Sequence, residues 1–304
     1  MNYIKCRNLV KKYQGSDRKA LDSINFEIPT KGIFALIGRN GAGKTTLVRI
    51  LATQLALTSG SVEINGFDVM KNANDIRKFI AVVPQEARTI NWLSPMQQIQ
   101  SYLLWRGFSY TESHKRAVNV LRNFGISKYA NLRNSSLSGG TKRKVLAATV
   151  IASDAKILFL DEPTTGLDPI AREELWNLLF KLKSTHFIFL TTHYLEEAER
   201  LADSIAIMHE GRMLTIGSMD QLRSRMKYTH SIRFRGSIGL AGYKCDRTIG
   251  KDGYTQLLMS EKDAYEISKK LLSKGISFSI NPTSLDNIFY YYAKSALNEG
   301  DNDE

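Results

Sequence analysis

Three short stretches carry residue types that handle phosphate and the water that attacks it. Gly38-Arg39-Asn40-Gly41-Ala42-Gly43-Lys44-Thr45-Thr46 fits G-x-x-x-x-G-K-[ST]. Glycines at 38, 41 and 43 let the backbone curl and turn its N–H groups inward onto phosphate oxygens. Lys44 then reaches the β- and γ-phosphates as a point charge, and the Thr45 hydroxyl is placed to hold Mg2+. A plain glycine turn before a helix does not account for Lys-Thr-Thr behind an apolar strand. The second stretch, Leu137-Ser138-Gly139-Gly140-Thr141-Lys142-Arg143-Lys144, starts a basic helical segment with small residues, so its backbone N–H groups form another anion site. The third, Ile157-Leu158-Phe159-Leu160-Asp161-Glu162-Pro163, is an apolar strand ending in two carboxylates. A carboxylate at a buried strand end is costly unless it meets a cation. Asp161 suits Mg2+, directly or through water, and Glu162 can orient and deprotonate an attacking water.

Such residues need a frame, and the apolar runs supply one. Ile33–Ile37 leads into the glycine loop, Ile80–Val83 into Pro84-Gln85, Ile157–Leu160 into Asp161-Glu162, and Phe187–Leu190 into Thr191-Thr192-His193. Continuous apolar runs of this length read as parallel strands buried on both faces. Ligands in open α/β sheets bind outside the carboxyl ends of such strands. Helical patterns fill the intervals: Ala171, Leu175, Leu178, Leu179 and Leu182 fall on one face, and 95–125 reads mostly as helix. Beyond Tyr228 the pattern changes. Ser231–Arg235 and Tyr254–Met259 alternate like half-buried strands, and Ala264, Ile267, Leu271 and Leu272 mark an amphipathic helix. Ile276–Ile280 is a further strand candidate, and Leu285, Ile288, Phe289 and Tyr292 mark a last helix capped by Thr283 or Ser284.

The 304 residues allow one large domain and a small one, or two ordinary domains. At 43% hydrophobic and 24% charged, the composition is that of a globular chain with a sizeable core. Two distant cysteines, Cys6 and Cys245, give neither a disulfide framework nor a metal-ligand spacing, which favours a reducing compartment. No apolar run nears the roughly 20 residues that cross a bilayer, and the N-terminus lacks the apolar core of a signal peptide. The net charge of +12 permits an anionic partner, but the basic residues are spread along the chain, as on a solvated surface.

The order of these parts resembles the ATP-binding cassette (ABC) ATPases over about residues 3–225, most of all exporter-type cassettes of the drug- and lipid-export branch. That resemblance implies an α/β P-loop NTPase fold with a mostly parallel core sheet, an N-terminal antiparallel β subdomain, an inserted helical subdomain at about 90–150 and a small α+β C-terminal appendage. The division falls at an ABC ATPase domain over 1–227 and an accessory domain over 228–304. The cofactors implied are ATP and Mg2+. Gly38 through Thr46 would form the nucleotide loop, Thr45, Gln85 and Asp161 the Mg2+ site, and Glu162 the catalytic carboxylate. His193 resembles the switch histidine that contacts the γ-phosphate and the water, and Gln85 the Q-loop glutamine; by residue chemistry alone a lone Gln is unremarkable. Tyr13 resembles the aromatic that stacks on adenine, which implies weak discrimination between purines. Asp168 matches the D-loop and also reads as a helix N-cap ahead of Pro169. His114, His186, His209 and His230 receive no role.

In the family the Ser138-Gly139-Gly140 grip closes over ATP bound by a second cassette, so two copies would clamp head to tail on two ATP molecules. Thr141 stands where many members carry Gln, which leaves the grip intact. The resemblance implies an ATP-hydrolysing subunit on the inner face of a membrane, docked on a separate transmembrane permease subunit, with a second ATP-binding subunit forming a homo- or heterodimer. A different class, an ABC ATPase acting on nucleic acid or ribosomes, would call for a coiled-coil insertion or two cassettes in one chain. Neither is present in the sequence, and a nucleic-acid partner is not expected. A P-loop kinase or GTPase would lack the Ser-Gly-Gly stretch, and no Asn-Lys-x-Asp guanine-reading motif occurs.

Overall fold

Alternating burial in some segments and unbroken burial in others sorts the strands into separate sheets. The computed structural model describes residues 2–240, 242–249 and 253–300, the last seven of these by backbone alone. Contacts divide the chain into a unit ending at Leu214 and one beginning at Thr215.

In the first unit, β1 (Tyr3–Lys12), β2 (Lys19–Pro29), β4 (Ser59–Ile64) and β5 (Phe67–Asp68) form an antiparallel sheet in the order β2-β1-β4-β5. One face is apolar, with Ile4, Cys6 and Leu9 beside Leu21, Ile24, Phe26 and Ile28 in the core. This is the antiparallel subdomain expected at the N-terminus.

The second sheet has the order β10-β9-β3-β8-β7-β6, made of β3 (Ile33–Ile37), β6 (Ile80–Val83), β7 (Ile157–Asp161), β8 (Phe187–Thr192) and β9 (Ser204–His209). At its edge lies β10 (Arg212–Gly217), where the chain passes into the second unit. Every residue of β3, β7 and β8 is buried, as their continuous apolar sequences require. Pairing is parallel across β9-β3-β8-β7-β6. Phe34, Phe159 and Phe189 interlock across three adjacent strands, with ring centroids 5.0 and 5.6 Å apart. The register decides function: Ile37 pairs with Thr192 and Asp161 with Thr191, so the glycine loop, Glu162 and His193 leave the same sheet edge together.

Helices α1 (Lys44–Leu51), α2 (Ala73–Phe79), α6 (Pro169–Leu182) and α7 (Leu195–Leu201) connect these strands. Between β6 and β7 come α3 (Pro95–Trp105), α4 (Tyr110–Asn123) and α5 (Gly139–Ile151). Each of the three starts at a serine whose side chain accepts from a backbone N–H in the first turn: Ser94, Ser109 and Ser138. Their facing residues Ile99, Leu103, Ala117, Val120, Leu121 and Val145 share one core with β6 and β7. Removing one such buried Leu or Ile side chain costs about 2–5 kcal/mol.

The second unit contains α8 (Met219–Ser224), β11 (His230–Arg235), β12 (Cys245–Ile249), β13 (Tyr254–Met259), α9 (Glu261–Ser273), β14 (Phe278–Pro282) and α10 (Leu285–Gly300). Its sheet runs β12-β13-β11-β14, antiparallel throughout. Ile232, Phe234, Leu257 and Met259 pack on Ala264, Ile267 and Leu271 of α9. β11 and β13 match the alternation in the sequence. β12 has no sequence counterpart, because its residues are mostly exposed and leave no period-two signal. The division lies ahead of the 227/228 boundary expected from composition, since α8 already belongs to this unit. Arg223 Nε donates to the Thr283 carbonyl at 2.9 Å, and Thr283 Oγ1 donates to the Tyr228 carbonyl at 3.0 Å. At the start of α10 the Ser284 N–H and hydroxyl both donate to Asn287 Oδ1, at 3.4 and 2.9 Å.

Candidate functional site

Between β3 and α1 the chain makes a tight loop whose glycines are dictated by neighbours. A Cβ on Gly43 would sit 2.5 Å from the Ala20 carbonyl oxygen and 2.9 Å from Met208 Cε, in a backbone at φ +103°. One on Gly38 would meet the Met208 carbonyl oxygen at 2.5 Å. Gly41, at φ +82°, has open space around it, so the left-handed turn alone selects glycine there. Arg39 and Ala42 close the turn through an Ala42 N–H to Arg39 carbonyl bond of 3.1 Å. Lys44 is almost fully buried and folds back over the loop, its Nζ donating to the carbonyls of Gly38 at 2.8 Å and Arg39 at 3.2 Å. At the start of α1 no acidic side chain competes for the free N–H groups, and the positive end of the helix faces the loop.

β7 delivers both carboxylates, Asp161 and Glu162, and both are buried. Thr191 Oγ1 donates to Asp161 Oδ1. Glu162 stands in the left-handed region at φ 49°, a conformation that costs an L-residue about 1–2 kcal/mol. Its N–H bonds the Thr191 carbonyl and hydroxyl, each at 3.1 Å, which holds it there. Glu162 Oε1 lies 3.4 Å from Lys44 Nζ. Oε2 accepts from Gln85 Nε2 at 3.2 Å and Thr165 Oγ1 at 3.1 Å, and lies 3.1 Å from His193 Nδ1. A buried carboxylate with this many partners is one whose exact placement matters. Residues distant in sequence thus converge on one group: Lys44, Gln85 and His193 meet around Glu162, beside its near neighbour Thr165.

A cavity of about 280 Å³ opens here, lined by Asn40, Gly41, Gly43, Lys44, Thr45, Thr46, Gln85 and Glu162, with Ala20 at one side. Asp161 is not in its lining; Thr191 covers its carboxylate. Tyr13, partly exposed beyond β1, is linked to the loop by its hydroxyl, 3.2 Å from Thr46 Oγ1. Oxygen donors suited to Mg2+ are present: the Thr45 hydroxyl, the Gln85 amide and the Asp161 carboxylate. Among the described residues no group of three or more His, Cys, Asp or Glu could cage a metal alone. Hydroxyl, amide and carboxylate oxygens are the hard donors Mg2+ takes alongside substrate phosphates, so this donor set fits that ion.

Ser138, Gly139 and Gly140 do not line this cavity. They form the start of α5, exposed at Ser138 and Gly139 and half-buried at Gly140, where Ser138 Oγ accepts from the Thr141 N–H at 3.3 Å and lies 2.9 Å from Thr141 Oγ1. The two glycines differ in cause. A Cβ on Gly140 would press within 2.7 Å of Ala171 Cβ, so close packing of α5 on α6 explains it. At Gly139 a Cβ would meet nothing within 4 Å. Asp168, also exposed, caps α6 by accepting from the Ala171 N–H at 2.9 Å. Arg143, whose guanidinium is pushed down by burial, donates to the Gln85 carbonyl at 3.3 Å and ties α5 to the segment after β6.

Three participants went unread in the sequence. Thr165 and Thr191 are hydroxyls adjacent to the carboxylates, inconspicuous among other threonines. Glu197 is a wholly buried carboxylate in α7, pushed up by burial and held down in part by bonds from Thr192, Trp176 and Thr164. In the sequence it is indistinguishable from Glu196 and Glu199 beside it.

The chain is similar in sequence and fold to known proteins. A family model described as ABC transporter matches residues 21–165. The daunorubicin/doxorubicin resistance ATP-binding protein DrrA of Streptomyces peucetius is 31% identical over 303 residues, covering 94% of this chain and 91% of that protein. The retinal-specific phospholipid-transporting ATPase ABCA4 of Mus musculus is 37% identical over 212 residues, 70% of this chain, which spans only 9% of that relative's length. Among solved structures, the dimeric post-hydrolysis state of the ATP-binding cassette MJ0796 bound to ADP and Pi superposes with a TM-score of 0.65 at 25% identity, covering 71% of this chain and 98% of that one. With one relative matched over nearly all of its length, and the family match running from β2 through the glycine loop to the residues around Glu162, this chain belongs to the ABC transporter family.

Proposed function

We propose that this chain binds and hydrolyses ATP to power export through a separate membrane-spanning subunit, acting in head-to-tail pairs at the inner face of the membrane. The observation that carries the reading is the Glu162 carboxylate, buried at the phosphate loop between Lys44, Gln85, Thr165 and His193. In the chemistry proposed, the loop N–H groups and the start of α1 grip the phosphates, and Lys44 turns from Glu162 to the β- and γ-oxygens. Glu162 takes a proton from a water as its oxygen bonds the γ-phosphorus and the bond to the β-phosphate oxygen breaks. His193 and Gln85 hold that water and the carboxylate in line. Thr45, Gln85 and Asp161 would hold Mg2+, which when bound would offset charge on the phosphates. Tyr13 stacks on the base.

Pairing of two copies is supported by Gly139, exposed at a helix start with no internal contact to exclude a side chain. Export is supported by likeness to DrrA over 94% of this chain. A docking place for the membrane subunit is the groove between β6 and α3, about 540 Å³, where Tyr102, Trp105 and Phe108 stand over Ala81 and Val82. Trp105 is 80% exposed there, and an amphipathic helix would bury it. Among the described residues no helix is long and apolar enough to cross a membrane.

The test is turnover against chain concentration. ATP hydrolysis should rise more steeply than linearly with the chain, and a membrane protein from the source cell should co-purify with it. A strictly monomeric preparation hydrolysing ATP at full speed would refute the pairing, and tight binding of ATP without Mg2+-dependent turnover would refute the enzyme.

A further inference from the structure

Behind the proposed catalytic carboxylate lies a second one with no part in the chemistry above. Glu197 in α7 is fully shielded from solvent, and its two oxygens face different partners. Oε2 accepts from Thr164 Oγ1 at 3.1 Å, Oε1 accepts from Trp176 Nε1 at 2.9 Å, and the Thr192 hydroxyl beside His193 also bonds the carboxylate. Thr164 is itself fully buried and lies in the loop that joins Glu162 to Asp168. Trp176 lies in α6, the helix capped by Asp168. α7 begins directly after His193 and Tyr194. Glu197 is thus bonded to both sides of the site: to the loop carrying Glu162 and to the helix behind it, from the helix that directly follows His193 and Tyr194.

A second connection runs in parallel. Asp168, Arg172 and Trp176 recur on one face of α6. The Arg172 guanidinium lies over the Tyr194 ring at 4.2 Å, and that ring lies 4.1 Å from the His193 ring. Arg172 Nε is buried without a hydrogen-bond partner, and the guanidinium is held by its stack over Tyr194 and by attraction to the Glu197 carboxylate. A carboxylate withdrawn from water is costly unless its oxygens are satisfied, and a structural core position would be filled more cheaply by leucine. Its retention in the fold is explained if the bonds hold something whose position matters.

We infer that Glu197 is a positioning residue for the proposed ATP hydrolysis: by binding Thr164 and Trp176 it holds the Glu162 loop and the His193 loop at a fixed separation. The inference rests on hydrolysis being the chain's reaction. In this arrangement Glu197 touches neither nucleotide nor water, so it governs the rate of the chemical step and leaves nucleotide affinity alone. Displacing a catalytic pair by about 1 Å costs on the order of 100-fold in rate.

The experiment uses the full chain with MgATP. Glu197→Leu removes both acceptors; turnover per bound ATP should fall about 10- to 100-fold, with KM for ATP changed less than about threefold. Glu197→Gln keeps an oxygen for Trp176 and an amide that the Thr164 hydroxyl can accept from; turnover should stay within about threefold of the unaltered chain. If Glu197→Leu does not fold, Thr164→Val and Trp176→Phe each remove one bond and should each lower turnover several-fold, again at constant KM. Folded Glu197→Leu, or Thr164→Val together with Trp176→Phe, hydrolysing ATP at the unaltered rate would overturn the inference. So would a loss lying wholly in KM, or an equal loss in Glu197→Gln. No turnover by the unaltered chain would remove the proposed function itself, an outcome separate from any ranking of the variants.

Discussion

Glu162→Gln isolates the proposed base from everything else the side chain does. The substitution preserves shape and removes the charge. Oε2 of Glu162 now receives bonds from Gln85 and Thr165 and lies beside His193 Nδ1, while Oε1 faces Lys44 at 3.4 Å. An amide oxygen directed at Lys44 keeps that contact. The amide nitrogen then meets the Thr165 hydroxyl and the His193 ring, both of which can accept, and the Gln85 amide can turn to present its oxygen. The folded state therefore loses the Lys44 ion pair and little more, and stability should change by no more than about 1–2 kcal/mol. Catalysis loses the proton acceptor, a contribution of about 100- to 10,000-fold, or about 3–5 kcal/mol on the barrier. ATP affinity should not fall, because Lys44 is released from a competing carboxylate. Phosphate release under single-turnover conditions reads the chemical step, a fluorescent nucleotide reads affinity, and light scattering with MgATP reads pairing, which should accumulate when hydrolysis cannot reopen it. Turnover within about threefold of the unaltered chain would show that Glu162 is not the base, and lost ATP binding would show that its role is structural.

Gly43→Ala should unfold the loop: the left-handed backbone alone costs about 1–2 kcal/mol, and the new Cβ would sit 2.5 Å from the Ala20 carbonyl oxygen; an unchanged urea midpoint and ATP affinity would refute this account. Tyr13→Ala should weaken ATP and GTP alike, by about 5- to 150-fold if stacking contributes its usual 1–3 kcal/mol, while Tyr13→Phe stays near the original affinity; a loss confined to ATP in a competition titration would mean base-specific contacts instead. Glu197→Gln gives a pH test. Burial raises the Glu197 carboxyl above its usual value, so the folded state favours the protonated form; the stability this confers is complete below about pH 4.5 and is lost as pH rises through the raised value. Thermal melts of Glu197→Gln should therefore gain on the unaltered chain with rising pH through that window, and a pH-independent difference would contradict the burial argument.

Much of the site was legible because strand ends concentrate it. Gly38 to Thr46, Asp161-Glu162 and His193 each follow an apolar run, and parallel register brings such ends to one edge whatever lies between them. Gln85 follows a run too, but its amide acquires meaning only from Glu162, a residue far along the chain. The less legible parts are those whose chemistry depends on a neighbour in space. Thr191 matters because Asp161 pairs with it across the sheet. β12 carries no apolar alternation to announce it, and Thr283 reads as a cap in sequence yet donates to Tyr228 in the fold. Glu197 is the extreme case: a carboxylate among carboxylates, whose burial comes from Trp176 and Thr164 and leaves no mark on local sequence.

The glycine pair at 139 and 140 separates what one copy can explain from what it cannot. In sequence the two are equivalent halves of one motif. In the fold, Gly140 is required by Ala171 on α6, so its lack of a side chain is satisfied within the chain. Gly139 is exposed, has ordinary helical backbone and would admit a Cβ without contact. At this first helical position glycine offers the helix no advantage over alanine, the better helix former. A glycine that does nothing for the helix, at a helix start outside the phosphate-loop cavity, would be accounted for on the proposed pairing by a ligand arriving from outside. The two substitutions should therefore part company. Gly140→Ala should lower the melting temperature of the isolated chain. Gly139→Ala should leave it unchanged or raise it, while reducing the ATP-dependent pairing and the steep dependence of turnover on chain concentration. Equal melting losses from both, with pairing intact, would return Gly139 to the structure of a single copy and remove the clearest support for a shared site.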